Sequence, residues 1–316
     1  MATPELKTNV YIHLIRHAQA QHNYDPKTAT PAQKALCRAF INPHLTPHGH
    51  AESLDLRHRF PYMSLLTHIL TSPLRRTLET TLIALEPAIL QNIPTIAIEE
   101  LREIGMGPSS TGTDISEVLR ELGDMGKWVL TDNVKENWEF NLEQRSEAEE
   151  RAEKVKRMLK DLGDVVCGRV GDAELDPDEE VKLWNNYAFS PLPEGRDVHI
   201  AVVSHAGFLR KILGDNRGNQ FGNAEFRSFR FRGDEAGLEG DQKSWDLIET
   251  LESRGLLHPS TEEEDLAERE IAREAREVRV SGVEINVVEV EDDEVETLEE
   301  VDNGLDTSLL DPMLFV

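Results

Sequence analysis

The chain has 316 residues, 39% of them hydrophobic and 30% charged, with a formal net charge of −26. That is enough apolar material for a real core and enough length for one large domain or two ordinary ones, so a wholly disordered chain is excluded. No apolar run approaches the ~18 residues of a membrane-spanning helix, and two cysteines, Cys37 and Cys167, without Cys/His metal spacing exclude a disulfide scaffold and a zinc ribbon. The polar start, Met1 to Asn9, leads straight into an apolar strand pattern rather than a secretory signal, so a cytoplasmic protein is expected.

In chain order, Val10 to Ile15 (VYIHLI) reads as a buried strand, followed by a helix over Pro47 to Phe60. His68 to Thr71 (HILT) is a second strand, Leu74 to Gln91 a helix, and Thr95 to Ile98 a third strand. Gly107 to Trp138 has weak periodicity and reads as an insertion. A helix over Ser146 to Leu162 and a second insertion over Gly163 to Arg196 precede the clearest strand, Val198 to Val203 (VHIAVV). Phe208 to Leu213 starts another helix, and Ala224 to Phe231 alternates as a half-exposed strand. Strands separated by helices predict a three-layer α/β/α sandwich with a mostly parallel central sheet.

The pattern changes after Gly233. Residues 234–316 hold 27 acidic and 6 basic residues, a net of −21, which leaves −5 for residues 1–233. The expected organisation is a body over 1–233, with insertions at 107–138 and 163–196, and an acidic C-terminal extension over 234–316. Within the extension, Ser260 to Val280 carries a helix signature and Val283 to Val290 could pair as a strand. The acid argues against nucleic-acid or anionic-membrane binding, which needs basic surface. It leaves two readings of the extension: a solvated tail, or a segment that docks on the body or on a protein partner through its apolar end.

The residues with chemical potential gather at strand ends, where open α/β sheets bind ligands. Arg16-His17 closes the first strand. A neutral imidazole can attack phosphorus, and a guanidinium can grip phosphate oxygens in pairs. Ser72-Pro73-Leu74-Arg75-Arg76-Thr77 follows the second strand, and its arginines open a helix whose N-terminus favours anions. Leu101-Arg102-Glu103 follows the third strand and Ser204-His205-Ala206-Gly207 the fourth. Alone, each is as consistent with a capping or surface role; together they form one chemical set.

This set resembles the histidine phosphatase superfamily, the phosphoglycerate-mutase-like family. Its opening Arg-His-Gly motif is matched by Arg16-His17-Ala18 with Asn23 downstream, and its Leu-Thr-x-x-Gly element by Leu45 to Gly49. Its Ser-Pro-Leu-x-Arg-Thr motif falls on Ser72 to Thr77, its Leu-x-Glu on Leu101 to Glu103, and its late Ser-His motif on Ser204-His205. Asn223-Ala224-Glu225 resembles the start of its final strand, so the matches run from about residue 10 to 231. The resemblance implies His17 as nucleophile, Arg16, Asn23, Arg76 and His205 around the phosphoryl group, and Glu103 as proton donor to the leaving oxygen. Phosphoryl transfer of this kind needs positioning and positive charge, which two arginines supply, so no metal or other cofactor is expected.

Two departures stand out. Ala18 replaces a glycine, which would matter if that position needs φ > 0. Ile104-Gly105-Met106 follows Glu103 where the mutases of the family carry an Arg-His-Tyr continuation, which favours a phosphatase acting on a small phosphorylated metabolite. The rivals are a phosphoglycerate-type mutase, a repurposed biosynthetic enzyme of the same fold, and a non-catalytic scaffold. His44, His48, His50 and His58 fit no standard metal spacing and read better as surface or helix-face groups. Arg75 could contact phosphate or lie at the surface, and Trp128, Trp138 and Trp184 could line a pocket or pack within the insertions.

Overall fold

The computed structural model describes residues 8–24, 27–140, 146–168, 192–193, 195–214, 220–234 and 243–256, all within one compact unit, residues 1–282. The strands are β1 (Val10–Arg16), β2 (His68–Thr71), β3 (Thr95–Ala97), β4 (Val129–Leu130), β5 (Val198–Ser204), β6 (Phe226–Phe231) and β7 (Leu247–Glu249). They form one sheet in the order β4-β3-β2-β5-β1-β6-β7. Neighbours from β4 to β1 are parallel, while β6 and β7 run antiparallel. The α-helices are α1 (Pro31–Ala39), α2 (Pro47–Arg59), α3 (Arg75–Ala84), α4 (Glu86–Ile89), α5 (Ile115–Glu121), α6 (Glu147–Val166), α7 (Ala206–Ile212) and α8 (Leu251–Leu256).

Successive side chains of a strand point to opposite faces, and the two faces of this sheet hold two cores. Val10, Ile12 and Leu14 of β1 join Val198, Ile200 and Val202 of β5 under α6 and α7, with Val155, Leu159, Phe208 and Ile212. Ile15, Ala201 and Val203 face the other way, onto Leu56 of α2 and Leu78 and Leu82 of α3. The central strands are therefore covered on both sides, which is why they read as near-continuous apolar runs.

Several expectations from the sequence shift in detail. The helix expected over 74–91 divides into α3 and α4 at Leu85, with Pro87 in the first turn of α4, the place a proline tolerates best. Helix α1, which the sequence reading does not include, carries a capping box between Thr30 and Gln33 and buries none of its residues. The sheet also runs on past residue 233: β7 pairs with β6, and Trp245 and Leu247 pack against the first core. The helix and strand expected at 260–280 and 283–290 lie outside the described residues, as do Trp184 and most of the second insertion. No helix among the described residues is long and apolar enough to cross a membrane.

Away from the strand C-termini, three strands share a buried polar chain. His13 Nδ1 meets Ser228 Oγ at 2.8 Å, and His13 Nε2 meets His199 Nδ1 at 3.0 Å. Tyr62 stacks on His13, and Tyr11 on His199. Burial pushes His13 well below the ordinary histidine range and holds His199 and His68 down to about 4. These rings stay neutral in the fold while the unfolded chain takes up protons below about pH 6.5. Stability is therefore expected to fall as pH drops from 6.5 to 4, and calorimetry should show a shallower fall in His199→Asn.

Candidate active site

The register of the central strands builds the site. β1 and β5 pair with Arg16 opposite Ser204, so the next residues, His17 and His205, emerge side by side. The His17 N–H donates to Ser204 O at 2.9 Å, and the two imidazole rings lie 5.1 Å apart. Ser72, at the end of β2, places its Oγ 2.9 Å from His205 Nε2. Ser204 Oγ donates to Leu101 O at 2.7 Å, which ties the end of β5 to the turn that carries Glu103.

His17 is fully buried, and its tautomer follows from its contacts. Nδ1 lies 2.7 Å from Ala18 O, which can only accept, so Nδ1 carries the proton and Nε2 presents its lone pair. Arg76, on the first turn of α3, donates from Nε to that Nε2 at 3.2 Å. Burial, then the charges of Arg76 and Arg16, push His17 well below the usual histidine range. The ring is a neutral imidazole at neutral pH. His205 is held neutral by the same causes, burial first and Arg76 next.

Arg76 is 1% exposed. Burial lowers its pKa to about 10, opposed by Glu103, so it remains a cation at neutral pH. Its Nη1 donates to Ser109 O at 2.8 Å, in the first insertion. Arg16 donates through Nη1 to Phe221 O at 2.8 Å, and its Nε is buried with no acceptor among the described residues. The Nδ1 atoms of His22 and His205 are in the same condition. Two cations and several polar atoms in want of partners thus surround His17, an arrangement suited to a dense anion.

Glu103 sits at the start of α7. Its Oε1 accepts from Ile104 N at 2.8 Å and Phe208 N at 3.1 Å, and its Oε2 from Gly207 N at 3.3 Å. Two of these donors stand in the first turn of α7, and the three together fix where the carboxyl group points. Gly207 permits the approach: a Cβ there would stand 2.5 Å from Glu103 Oε1. Gly49 has a similar reason. A Cβ at Gly49 would stand 2.0 Å from Gln19 O, so only glycine lets α2, capped by Thr46, pack on the loop after His17.

The structure brings Arg16, His17, Arg76, Glu103 and His205 to one edge. Asn23 is nearby, but its side chain serves the loop, with Oδ1 accepting from Ala20 N at 2.9 Å and Nδ2 3.4 Å from His22 Nε2. Ala18 is not among the residues with positive φ, so the missing glycine costs no backbone freedom; its N–H donates to Thr80 Oγ1 at 3.0 Å. Ser72, Thr80 and His22 were not singled out from the sequence. Ser72 and His22 lie inside the motifs, and Thr80 lies one turn beyond Arg76. Arg75 turns away, to His44 and to Glu121 Oε2 at 2.6 Å. His44 also pairs with Glu79 at 2.7 Å and His48 with Glu52 at 3.3 Å. Among the described residues no group of three or more such side chains could hold a metal ion. Trp138 is buried against Gly112, whereas Trp128 is exposed.

Residues 12–165 match the family model of the histidine phosphatase superfamily, branch 1. Over that stretch, just under half of its length, the chain is similar to the histidine phosphatase superfamily. The matched stretch holds Arg16, His17, Arg76 and Glu103; the histidine-phosphatase element beyond it, His205, is placed by the pairing of β5 with β1. No curated protein matches the chain. Among solved structures, a phosphoserine phosphatase mutant from Entamoeba histolytica in complex with phosphoserine is 15% identical, with a TM-score of 0.38, covering 76% of this chain and 95% of its own. The α-ribazole phosphatase from Shigella flexneri is 16% identical (TM-score 0.37, 71% and 92% covered). A phosphoglycerate mutase from Bacillus anthracis is 12% identical (TM-score 0.37, 72% and 90% covered).

Gly49→Ala tests the packing behind His17. A Cβ forced against a backbone carbonyl has to move the loop, so a loss of about 2–4 kcal/mol is expected in urea unfolding. A stability within 0.5 kcal/mol of wild type, on the ~0.5 kcal/mol scale of neutral surface changes, would show that the loop yields without cost.

Proposed function

We propose that this chain is a metal-independent phosphatase that hydrolyses a small phosphorylated metabolite through a phosphohistidine on His17. The observation that carries this reading is the state of His17, a buried neutral imidazole whose Nδ1–H is held by Ala18 O and whose Nε2 lone pair faces Arg76. Such a ring is a nucleophile with its proton already on the far nitrogen.

In the first step the Nε2 lone pair bonds to phosphorus and the P–O ester bond breaks. The leaving oxygen takes a proton from Glu103 in its acid form. The three backbone N–H groups around Glu103 stabilise the carboxylate as it forms. Arg76 and Arg16 turn to the phosphoryl oxygens, whose charge they neutralise in a water-poor site. In the second step the Glu103 carboxylate takes a proton from water, the oxygen bonds to phosphorus, and the P–N bond breaks. His17 returns to its neutral form and inorganic phosphate leaves. Ile104, Gly105 and Met106 bring no cationic or tyrosyl group after Glu103, where the mutases of the family carry an Arg-His-Tyr continuation, which supports release of the phosphoryl group to water.

The reading is tested by phosphate release from a panel of phosphorylated metabolites with a chelator present. Wild type is expected to release phosphate and form an acid-labile phosphoenzyme, and His17→Ala to do neither. Release from no compound by a well-folded protein would overturn the reading.

Gly207→Ala separates stability from chemistry. Alanine improves the helix by up to about 1 kcal/mol and meets only the movable end of a side chain. The melting temperature should hold or rise, while displacement of Glu103 lowers kcat by about 10²-fold. In Ala18→Gly, with no positive φ to relieve, kcat should stay within about threefold of wild type.

A further inference from the structure

We propose that His22 is a further phosphate-contacting residue of this site, its Nδ1–H donating to an oxygen of the transferred phosphoryl group, and that Asn23 is the positioning residue that fixes its tautomer. The proposal rests on the phosphatase reading above and adds a donor to it. It begins with a backbone group that can only donate. The Ala20 N–H reaches Asn23 Oδ1 at 2.9 Å, so the carboxamide oxygen faces Ala20 and the amide nitrogen faces the other way. The same turn is closed by the Asn23 N–H on Ala20 O at 2.8 Å, which holds the residue in place.

Asn23 Nδ2 then stands 3.4 Å from His22 Nε2. An amide nitrogen can only donate, so Nε2 accepts. A neutral imidazole has one proton, and it must lie on Nδ1. His22 is neutral: burial, followed by the charges of Arg76 and Arg16, lowers its pKa to about 3. Its Nδ1 is buried and has no hydrogen-bond partner among the described residues.

A buried N–H donor without an acceptor costs free energy that an apolar side chain of similar size would not. Its setting gives the cost a purpose. The His22 ring lies 5.8 Å from the His17 ring, and its dominant charged neighbours are the two arginines of the site. An oxygen of a phosphoryl group on His17 supplies the acceptor that the protein does not. A neutral donor is also well chosen here, since it binds the oxygen without adding a third charge to two cations already buried close together.

The test uses the full chain, with para-nitrophenyl phosphate as substrate and inorganic phosphate as probe. In His22→Leu, kcat is expected to fall about 10- to 100-fold while the melting temperature holds or rises; His22→Gln, which restores an N–H donor, should recover part of the rate. Nitrogen-15 spectra of labelled histidine should show Nδ1 protonated in His22 and its signal shifted on addition of phosphate. Asn23→Ala should give a mixture of tautomers and a smaller loss of kcat. Wild-type turnover that depends on His17 but is within twofold of that of His22→Leu would overturn the proposal and leave the phosphatase reading standing. No turnover by wild type would overturn the reading beneath both. Should His22→Leu fail to fold, the wild-type spectrum decides: a proton on Nε2 sinks the proposal, and a proton on Nδ1 with a phosphate-dependent shift sustains it.

Discussion

The parallel pairing of β1 with β5 is the constraint from which the pocket follows. Seven residues of each strand match one for one, from Val10 opposite Val198 to Arg16 opposite Ser204. A slip of one position would reverse which side chains face each core, and both cores are densely apolar, so the register is strongly specified. The two histidines inherit that certainty. They stand one residue past the last matched pair, and neither needs a long or adaptable loop to find the other. The hydrogen bond from His17 N to Ser204 O continues the ladder to the point where the chemistry begins.

Charge is arranged against the grain of the chain as a whole. An acidic protein repels anions at long range, yet this one buries Arg76 and half-buries Arg16. Burying a guanidinium is costly unless it is hydrogen-bonded and near an opposite charge. Arg76 has both, in Ser109 O, His17 Nε2 and the field of Glu103. The same enclosure keeps three histidines neutral. The site thus holds its positive charge on groups that do not lose protons near neutral pH, and leaves its imidazoles free to act as bases, nucleophiles and uncharged donors.

Much of this was legible from residue order. β1, β2, β3 and β5 lie where apolar runs predict them, because buried strands in a covered sheet carry an almost unbroken apolar signal, and β6 lies where an alternating pattern predicts it. β4 and β7 have two and three residues, too few for any period, and their pairing is a matter of tertiary contact. Arg16, His17, Arg76, Glu103 and His205 could be named because strand ends and motifs coincide. What order could not convey is orientation. Asn23 is expected at the phosphate from its place in the motif; residue order does not say that its carboxamide oxygen faces Ala20 and its nitrogen faces His22. Arg75 and Arg76 are adjacent in sequence and identical in type; their places on α3 send one to Glu121 and the other to His17.

The contact between Arg76 and Ser109 couples the first turn of α3 to the segment that begins at Gly107. The stretch that holds Ser109 runs on into α5 and the edge strand β4, so it is part of the framework of the sheet. It also lends a carbonyl to the arginine that meets His17. An engineer who grafted another loop in its place would take away both a hydrogen-bond acceptor of Arg76 and the outermost strand on that side of the sheet.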